Sequence, residues 1–339
     1  MKVLAIIPAR SGSKGLPHKN IKVLNGQPLL TYSIQHALNS QLINRVIVST
    51  DSEEYAKISK QYGAEVPFIR PEKIAGDFAL DIETFEHALN YLEETEGYVP
   101  DIVVHLRPTF PIRNIEDIDT MISMLINDKQ ADSVRCIAPV KETPYKMWRK
   151  DEAGVLQPLL NDIEEAYNMP RQGLPKVYYQ NACVDVIRPD IIKNKKSMTG
   201  EVILGYEMTA NYDIDTEQDF IKAEQYIKLT NQKNRFVIDI DGVIAQYRAD
   251  LNYENARPNS KMIETINYLY EKGNEIILFT ARGYVTNKDW RAVTEAHLSE
   301  WNVKYHELHF GKPNADFYID DKMFDMFELL RQFSKDGNE

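Results

Sequence analysis

The chain has 339 residues, 43% of them hydrophobic and 27% charged, which is more than one small domain needs and suits two. No apolar run reaches the ~18 residues of a membrane-spanning helix, so a helical membrane protein is excluded. Lys plus Arg minus Asp plus Glu is 40 − 51 = −11, which argues against a nucleic-acid or anionic-membrane surface.

In chain order, Val3–Pro8 is a buried-strand pattern, 28–39 a helix with Leu29, Leu30, Ile34, Ala37 and Leu38 on one face, and 45–50 a second strand. Helices are expected over about 52–62, 80–96 and 114–127, with a third strand at 101–106. This βαβ rhythm implies a mainly parallel sheet with helices on both faces. From 141 to 180 the rhythm breaks around Pro144, Pro158, Pro170 and Pro175, and the stretch reads as an irregular arm or an oligomer contact. A strand at 182–187 and a helix at about 217–229 follow. The polar run 230–234 is a linker between domains 1–229 and 235–339. The second domain restarts the rhythm with strands at 235–240, 275–279 and 315–319 and helices at 258–272, 287–301 and 322–333. The opening MKVLAIIPAR lacks the longer apolar region of a secretory leader, so the chain is expected in the cytoplasm. Cys136 and Cys183 cannot build a disulfide framework and show no zinc-ligand spacing.

An acidic chain that handles anions must gather its cations locally. The loop 8–20, PARSGSKGLPHKN, does so: Gly12 and Gly15 permit a tight turn with exposed N–H groups, and Arg10, Lys14 and Lys19 add three cations. Its spacing is neither a P-loop nor a dinucleotide fingerprint, and a solvated glycine turn is the competing reading. Farther on, Asp213 and Asp215 stand at i and i+2, on one face of an extended segment. Such a pair suits Mg²⁺ with triphosphate oxygens, or else caps the helix starting near Glu217.

The motifs RSGSKGLPHKN, VSTDSEE, IRPE, LRPTFPIR, PYKMW, MPRQGLP, QNACVDV and YDIDTEQDF occur in order over 1–229, and this set resembles the acylneuraminate cytidylyltransferases. The resemblance implies a Rossmann-like nucleotidyltransferase fold, a homodimer, and transfer of CMP from CTP to a 2-keto-3-deoxy sugar acid with release of pyrophosphate. It implies Arg10 and Lys14 on the triphosphate, Lys19 and Asn20 nearby, and Arg70 beside the cytidine. Asp213 and Asp215 would be Mg²⁺ ligands, Lys146 and Arg171 basic residues of an arm reaching the neighbouring site, and Asn181 part of the sugar pocket. Two positions depart from the family. Arg107 replaces a glutamine and offers a bidentate clamp for carboxylate or phosphate, or a structural ion pair; Ala182 replaces a glycine.

In the second domain, a strand ends in Asp239, Ile240, Asp241 and Gly242, another in Thr280, Ala281 and Arg282, Lys312 follows later, and the last strand ends in Asp320 and Asp321. Carboxylates, a hydroxyl and a lysine at strand ends make a phosphoryl-transfer centre. The set resembles the haloacid dehalogenase superfamily of phosphatases, which implies a HAD-like Rossmannoid domain. The short runs from Asp241 to Thr280 and from Thr280 to Lys312 leave no room for a cap, so the domain is expected to be capless. By that resemblance Asp239 is the nucleophile, Asp241 the acid and base, Thr280 and Lys312 bind phosphoryl oxygens, and Mg²⁺ is held by Asp239, Asp241, Asp320 and Asp321. His306 and His309 read as solvent-facing rather than metal-binding. The same domain order resembles animal CMP-sialic acid synthetases, whose tail is phosphatase-like. The expectation is a bifunctional enzyme acting on CTP and a sugar acid or its phosphate. Its partners would be a second copy through the N-terminal domain, and a tetramer through the C-terminal one, with neither nucleic acid nor membrane. The alternative is a cytidylyltransferase for a different acceptor with a catalytically silent, oligomerising tail.

Overall fold

The computed structural model describes residues 1–140, 142–208, 212–231, 233–247, 250–313, 315 and 324–333. The chain divides into two compact units, 1–227 and 228–339.

Unit 1 is built on six strands: β1 (Val3–Pro8), β2 (Arg45–Ser49), β3 (Ile102–Leu106), β4 (Ser133–Pro139), β5 (Tyr178–Ile187) and β6 (Ile203–Glu207), in spatial order β6-β4-β5-β3-β1-β2. Strands β1, β2 and β3 pair in parallel, as do β4 and β6, whereas β5 runs antiparallel between β3 and β4. The sheet is therefore mainly parallel, as the sequence pattern implied, with β5 alone reversed. Periodicity reports which residues are buried and not which way a strand runs.

Two cores hold the sheet. On one face pack α1 (Leu29–Asn39), α2 (Glu53–Gln61) and, after the long α3 (Asp81–Glu96), α4 (Ile115–Asn127). Helix α3 covers the opposite face with α5 (Pro189–Lys193). Each helix forms for legible reasons. In α4, Asn114 accepts from the Glu116 N–H at 3.2 Å at the N-cap, and Ile118, Met121, Ile122 and Leu125 repeat at the spacing of one buried face. In α2 the cap is Ser52, with Glu53 and Glu54 in the first turn where the helix dipole favours them. A third cluster joins α6 (Glu217–Asn231) to the glycine loop through Leu16, Leu24, Leu29, Ile214, Phe220, Ala223 and Ile227.

Three expectations needed correction. Strands β4 and β6 went unread, because Arg135 interrupts one and the other is an edge whose Ile203 stays exposed. The arm contains a two-stranded hairpin, Trp148–Lys150 against Leu156–Pro158. Strand β5 also starts four residues earlier than the pattern suggested, at Tyr178.

Unit 2 carries the parallel strands β7 (Arg235–Ile238), β8 (Glu275–Thr280) and β9 (Glu307–Phe310), ordered β7-β8-β9. Helices α7 (Ser260–Glu271), α8 (Arg291–Glu300) and α9 (Met326–Phe333) accompany them, and Met262, Ile266, Ile276, Leu278 and Leu298 form its core with Ile240 and Ile244. Between β7 and β8 the described residues hold only a one-turn helix at Tyr253–Asn255 and α7, and between β8 and β9 only α8. The pattern gives no sign of strand β9, because Glu307 and His309 alternate outward and leave too few apolar residues to register. The strand expected at 315–319 lies outside the described residues, apart from Ala315. No described helix is long and apolar enough to cross a membrane.

Candidate active site

The C-terminal ends of β1, β2 and β3 open on a cavity of about 500 Å³, lined by Arg10, Lys14, Lys19, Asn20, Arg70, Arg107, Thr109 and Asp215 among others. Strand β1 is the switch point, with β3 on one side and β2 on the other, so the loops leaving β1 and its neighbours part and leave a crevice.

The loop after β1 is held from beneath. Asp51, just past β2, accepts from the Ser11 N–H at 2.8 Å and from the Ser11 hydroxyl at 2.7 Å. Asn20, almost fully buried, donates to the Arg10 carbonyl at 2.9 Å, so its amide shapes the loop while it lines the cavity. Gly15 is required by proximity: a Cβ there would lie 3.0 Å from the Asp215 carbonyl oxygen. Gly12 meets no such constraint. Lys19 Nζ crosses to the same segment, donating to the Ile214 carbonyl at 2.7 Å and to Asp215 at 3.0 Å.

Arg70 is only 5% exposed, and its guanidinium donates to the Ser49 hydroxyl at 3.1 Å and to the Ser49 carbonyl. Burial lowers its pKa to about 10, opposed by Asp51 and Asp81, so it remains a cation at neutral pH. Arg107 is gripped on three sides. Nη1 donates to the Ala182 carbonyl at 2.8 Å and to Asp185 at 3.3 Å, and Nη2 to Asp81 at 2.9 Å. Asp185 is almost wholly buried and also accepts from Arg135 at 2.7 Å, so one carboxylate steadies two guanidiniums. The ion-pair and cavity readings of Arg107 therefore coexist.

The Asp213 carboxyl is raised above the ordinary carboxylate range, chiefly by desolvation, with the Asp215 charge adding to it against a hydrogen bond to Thr109. Two hard oxygen donors whose charges oppose each other fit a divalent cation such as Mg²⁺, with the remaining ligands coming from phosphate and water. Among the described residues no group of three or more His, Cys, Asp or Glu side chains forms a metal cluster.

Lys146 and Arg171, expected on an arm that reaches the neighbouring site, and Asn181, expected in the sugar pocket, do not line this cavity. Lys146 donates to the Tyr167 carbonyl at 3.1 Å, and Arg171 pairs with Glu142, both within the arm. Asn181 is a buried residue of β5, where its carbonyl accepts from the Cys183 N–H at 3.2 Å and from the Cys136 thiol of β4 at 2.5 Å, while Nδ2 has no partner among the described residues. Conversely, Asp77, Asp81 and Asp185 were not read as site residues. The run AGDFALD, directly after the Arg70 motif and dense in carboxylates, was the available signal for the first two.

The family pattern described as Cytidylyltransferase matches residues 4–241 of the chain. The chain belongs to the cytidylyltransferase family. It is 32% identical over 246 residues to an N-acylneuraminate cytidylyltransferase of Escherichia coli, covering 70% of this chain but only 54% of that relative, about half its length. It is also 32% identical over 237 residues to a CMP-N,N'-diacetyllegionaminic acid synthase of Legionella pneumophila, covering 68% of this chain and 99% of the relative. Among solved structures, a CMP:2-keto-3-deoxy-manno-octonic acid synthetase complexed with CTP aligns with a TM-score of 0.50 at 17% identity, over 67% of this chain and 98% of that one. That likeness gives the fold of unit 1 as the Rossmann-like α/β fold of nucleotidyltransferases.

Unit 2 of this cytidylyltransferase-family chain brings its own polar groups to the strand ends. Lys312 Nζ contacts Asp239, whose other oxygen accepts from the Ile240 N–H at 2.7 Å. Thr280, fully buried at the end of β8, accepts from the Arg282 N–H at 3.1 Å. Arg282 forks onto Asp241 with bonds of 2.7 and 2.9 Å, donates to Thr294 on α8 at 3.1 Å, and lies 4.6 Å from the centre of the Tyr253 ring. Gly242 takes φ +86°, which lets the chain turn straight after Asp241. Asp320 and Asp321 lie outside the described residues. His306 accepts from the Ile276 N–H at 3.0 Å and packs tilted against the Tyr270 ring, while His309 pairs with Glu307 at 2.6 Å.

Proposed function

We propose that unit 1 activates a 2-keto-3-deoxy sugar acid of the nonulosonate class with CTP, forming a CMP-sugar and pyrophosphate. The observation that carries this is one cavity lined together by Arg10, Lys14, Lys19, Arg70 and Arg107, four cations beside a phosphate-type loop and a fifth at the end of β3. The sugar acids named for the E. coli and Legionella relatives supply the acceptor class. In this reading the loop cations take the triphosphate, Arg70 faces the cytidine, and Arg107 takes the acid's carboxylate through the Nη2 edge. The anomeric hydroxyl attacks the α-phosphorus in line and gives up its proton to water, the bond to the oxygen bridging to the β-phosphate breaks, and pyrophosphate leaves with that oxygen. Asp213 and Asp215 would hold Mg²⁺, whose chemistry is to neutralise charge on the triphosphate. The chain's own contribution is positioning and a fixed positive field. Lys146, Arg171 and Asn181 would act from the arm and the strand behind it, with the arm seated on a second copy of the chain.

The test is pyrophosphate release with CTP, Mg²⁺ and a panel of nonulosonic acids. Release with a free acid, lost in Arg107→Ala through a raised KM for the acid, is the expected result. Silence across the panel would remove the acceptor assignment.

A second reading concerns unit 2, favoured by the contact of Lys312 with Asp239 beside the buried Thr280 hydroxyl. It is that of a phosphomonoesterase working through an aspartyl-phosphate on Asp239, with Asp241 as acid and base and Mg²⁺ held with the help of Asp320 and Asp321. Sugar-acid phosphate would be its substrate and the free acid its product. Phosphate release from such a substrate, absent in Asp239→Asn, is the expected outcome.

A further inference from the structure

Arg10 and Lys14, the loop cations read for the triphosphate, are both held by an acid of the chain itself. Asp77 meets Lys14 Nζ at 2.6 Å and Arg10 Nη1 at 3.3 Å, and Arg10 also donates to the neighbouring Gly76 carbonyl at 2.8 Å. All four residues line the same cavity. Asp77 sits in the connection between the turn Glu72–Ile74 and α3, and the next residue, Phe78, is 94% exposed. Apolar packing therefore does not hold this stretch at Phe78, and its polar contacts with the glycine loop do. The hydrogen bond from Lys14 keeps the Asp77 carboxyl below the ordinary carboxylate range, with the charges of Lys14 and Arg10 adding to it, so the group is ionised at neutral pH.

We propose that Asp77 is an internal counter-anion which a triphosphate chain displaces from Arg10 and Lys14, and which returns to them as pyrophosphate leaves. The exchange trades one carboxylate for phosphate oxygens of higher charge on the same two cations, so it runs forward only for a ligand whose phosphates reach the loop. Asp77 thereby sets the affinity of the site for polyphosphate and separates ligands by the length of their phosphate chain. A single α-phosphate held at the nucleoside end leaves it in place. In an acidic chain with three cations crowded into one short loop, the same contact prevents mutual repulsion from opening the loop before a ligand arrives. The inference rests on the transferase reading only in naming CTP as the source of the triphosphate.

Calorimetric titration of the full chain and its Asp77→Asn variant with tripolyphosphate, CTP and CMP tests this. The variant is expected to bind tripolyphosphate and CTP about threefold to fivefold more tightly at low salt, with CMP unchanged and the gain shrinking as salt is added. Unchanged or weaker binding of tripolyphosphate and CTP would overturn the proposal. Equal tightening of all three ligands would overturn it too, since that marks a general field effect and not displacement. Tripolyphosphate has neither base nor sugar, so this arm reads Asp77 even if no acid yields a CMP-sugar. Failure of the one reading is thus distinguishable from failure of the other.

Discussion

Ala182 adopts φ +59° inside β5, in the left-handed region where a Cβ crowds the following carbonyl. The strand is irregular there: Arg135 faces Asp185, yet Ile137 faces Gln180, so the residues between form a bulge that turns the Ala182 carbonyl onto Arg107. A glycine would carry the same turn without crowding. Ala182→Gly is expected to raise the unfolding free energy by up to about 1 kcal/mol in urea titration, and a loss of stability would show that the alanine methyl matters more than the backbone. His105 makes the complementary case. It is wholly buried against Phe85, neither ring nitrogen has a hydrogen-bond partner among the described residues, and Asp185 lies 4.0 Å away. Burial, then Arg107, Arg113 and Arg135, holds its pKa well below the ordinary histidine value, so the folded protein keeps it neutral. The unfolded chain takes up a proton below ~6.5, so stability is full above that pH and falls as pH drops beneath it. Replacing His105 with Phe is expected to flatten the decline between about pH 6.5 and 5 by up to ~1.4 kcal/mol per pH unit, read from urea midpoints across pH. At this scale the loop cations Arg10, Lys14 and Lys19 were legible, because like charges crowded into an acidic chain demand an anion, whereas Arg70 and Arg107 were singled out only by the family resemblance. Their internal partners Asp77, Asp81 and Asp185 were not, because each lies dozens of residues away from the cation it meets.

Among the elements, helices α1 to α4 were readable to within a residue or two, since each shows a buried face at helical spacing and two of them a capping side chain. The parallel run of the main sheet was readable too, but the direction of β5 was not. The chain between β4 and β5 is an arm rather than a crossover helix, and only pairing shows that β5 returns antiparallel. The arm's hairpin is too short to support itself by its own two strands. It exposes Trp148, Val155 and Leu156, and Tyr178 and Tyr179 at the start of β5 are exposed as well. Under the proposed dimer these residues are covered by a second copy. Leu156→Asp is expected to turn a dimer into a monomer in light scattering after gel filtration, and an unchanged mass would dissociate the arm from assembly.

The largest buried clusters of unit 1 draw all their buried members from before residue 228, and the core of unit 2 draws its own from after residue 237. Each unit thus has a separate core, and a chain ended after Asn231 is expected to unfold cooperatively and to keep pyrophosphate release with CTP and acid. Loss of phosphate release from a sugar-acid phosphate in that shortened chain, with pyrophosphate release retained, would assign the two activities to separate units. Retained phosphate release would remove the phosphatase reading of unit 2. The family match extends to residue 241, past the boundary between the units, and so does not itself mark where unit 1 ends.

Residue order alone determined the family, the α/β alternation, the two-unit division and the loop that concentrates positive charge. The family is written in eight motifs in order, and the other features in local spacing: periodicity of burial, glycines in a turn, carboxylates two apart. Tertiary structure decided the antiparallel β5, the bulge that strains Ala182, the burial of Asn181 away from the cavity, and the acids that hold Arg10, Lys14 and Arg107 in the meantime. These depend on contacts between residues 26 to 84 positions apart, made only when the sheet closes, and no spacing rule along the chain encodes which carboxylate will meet which guanidinium.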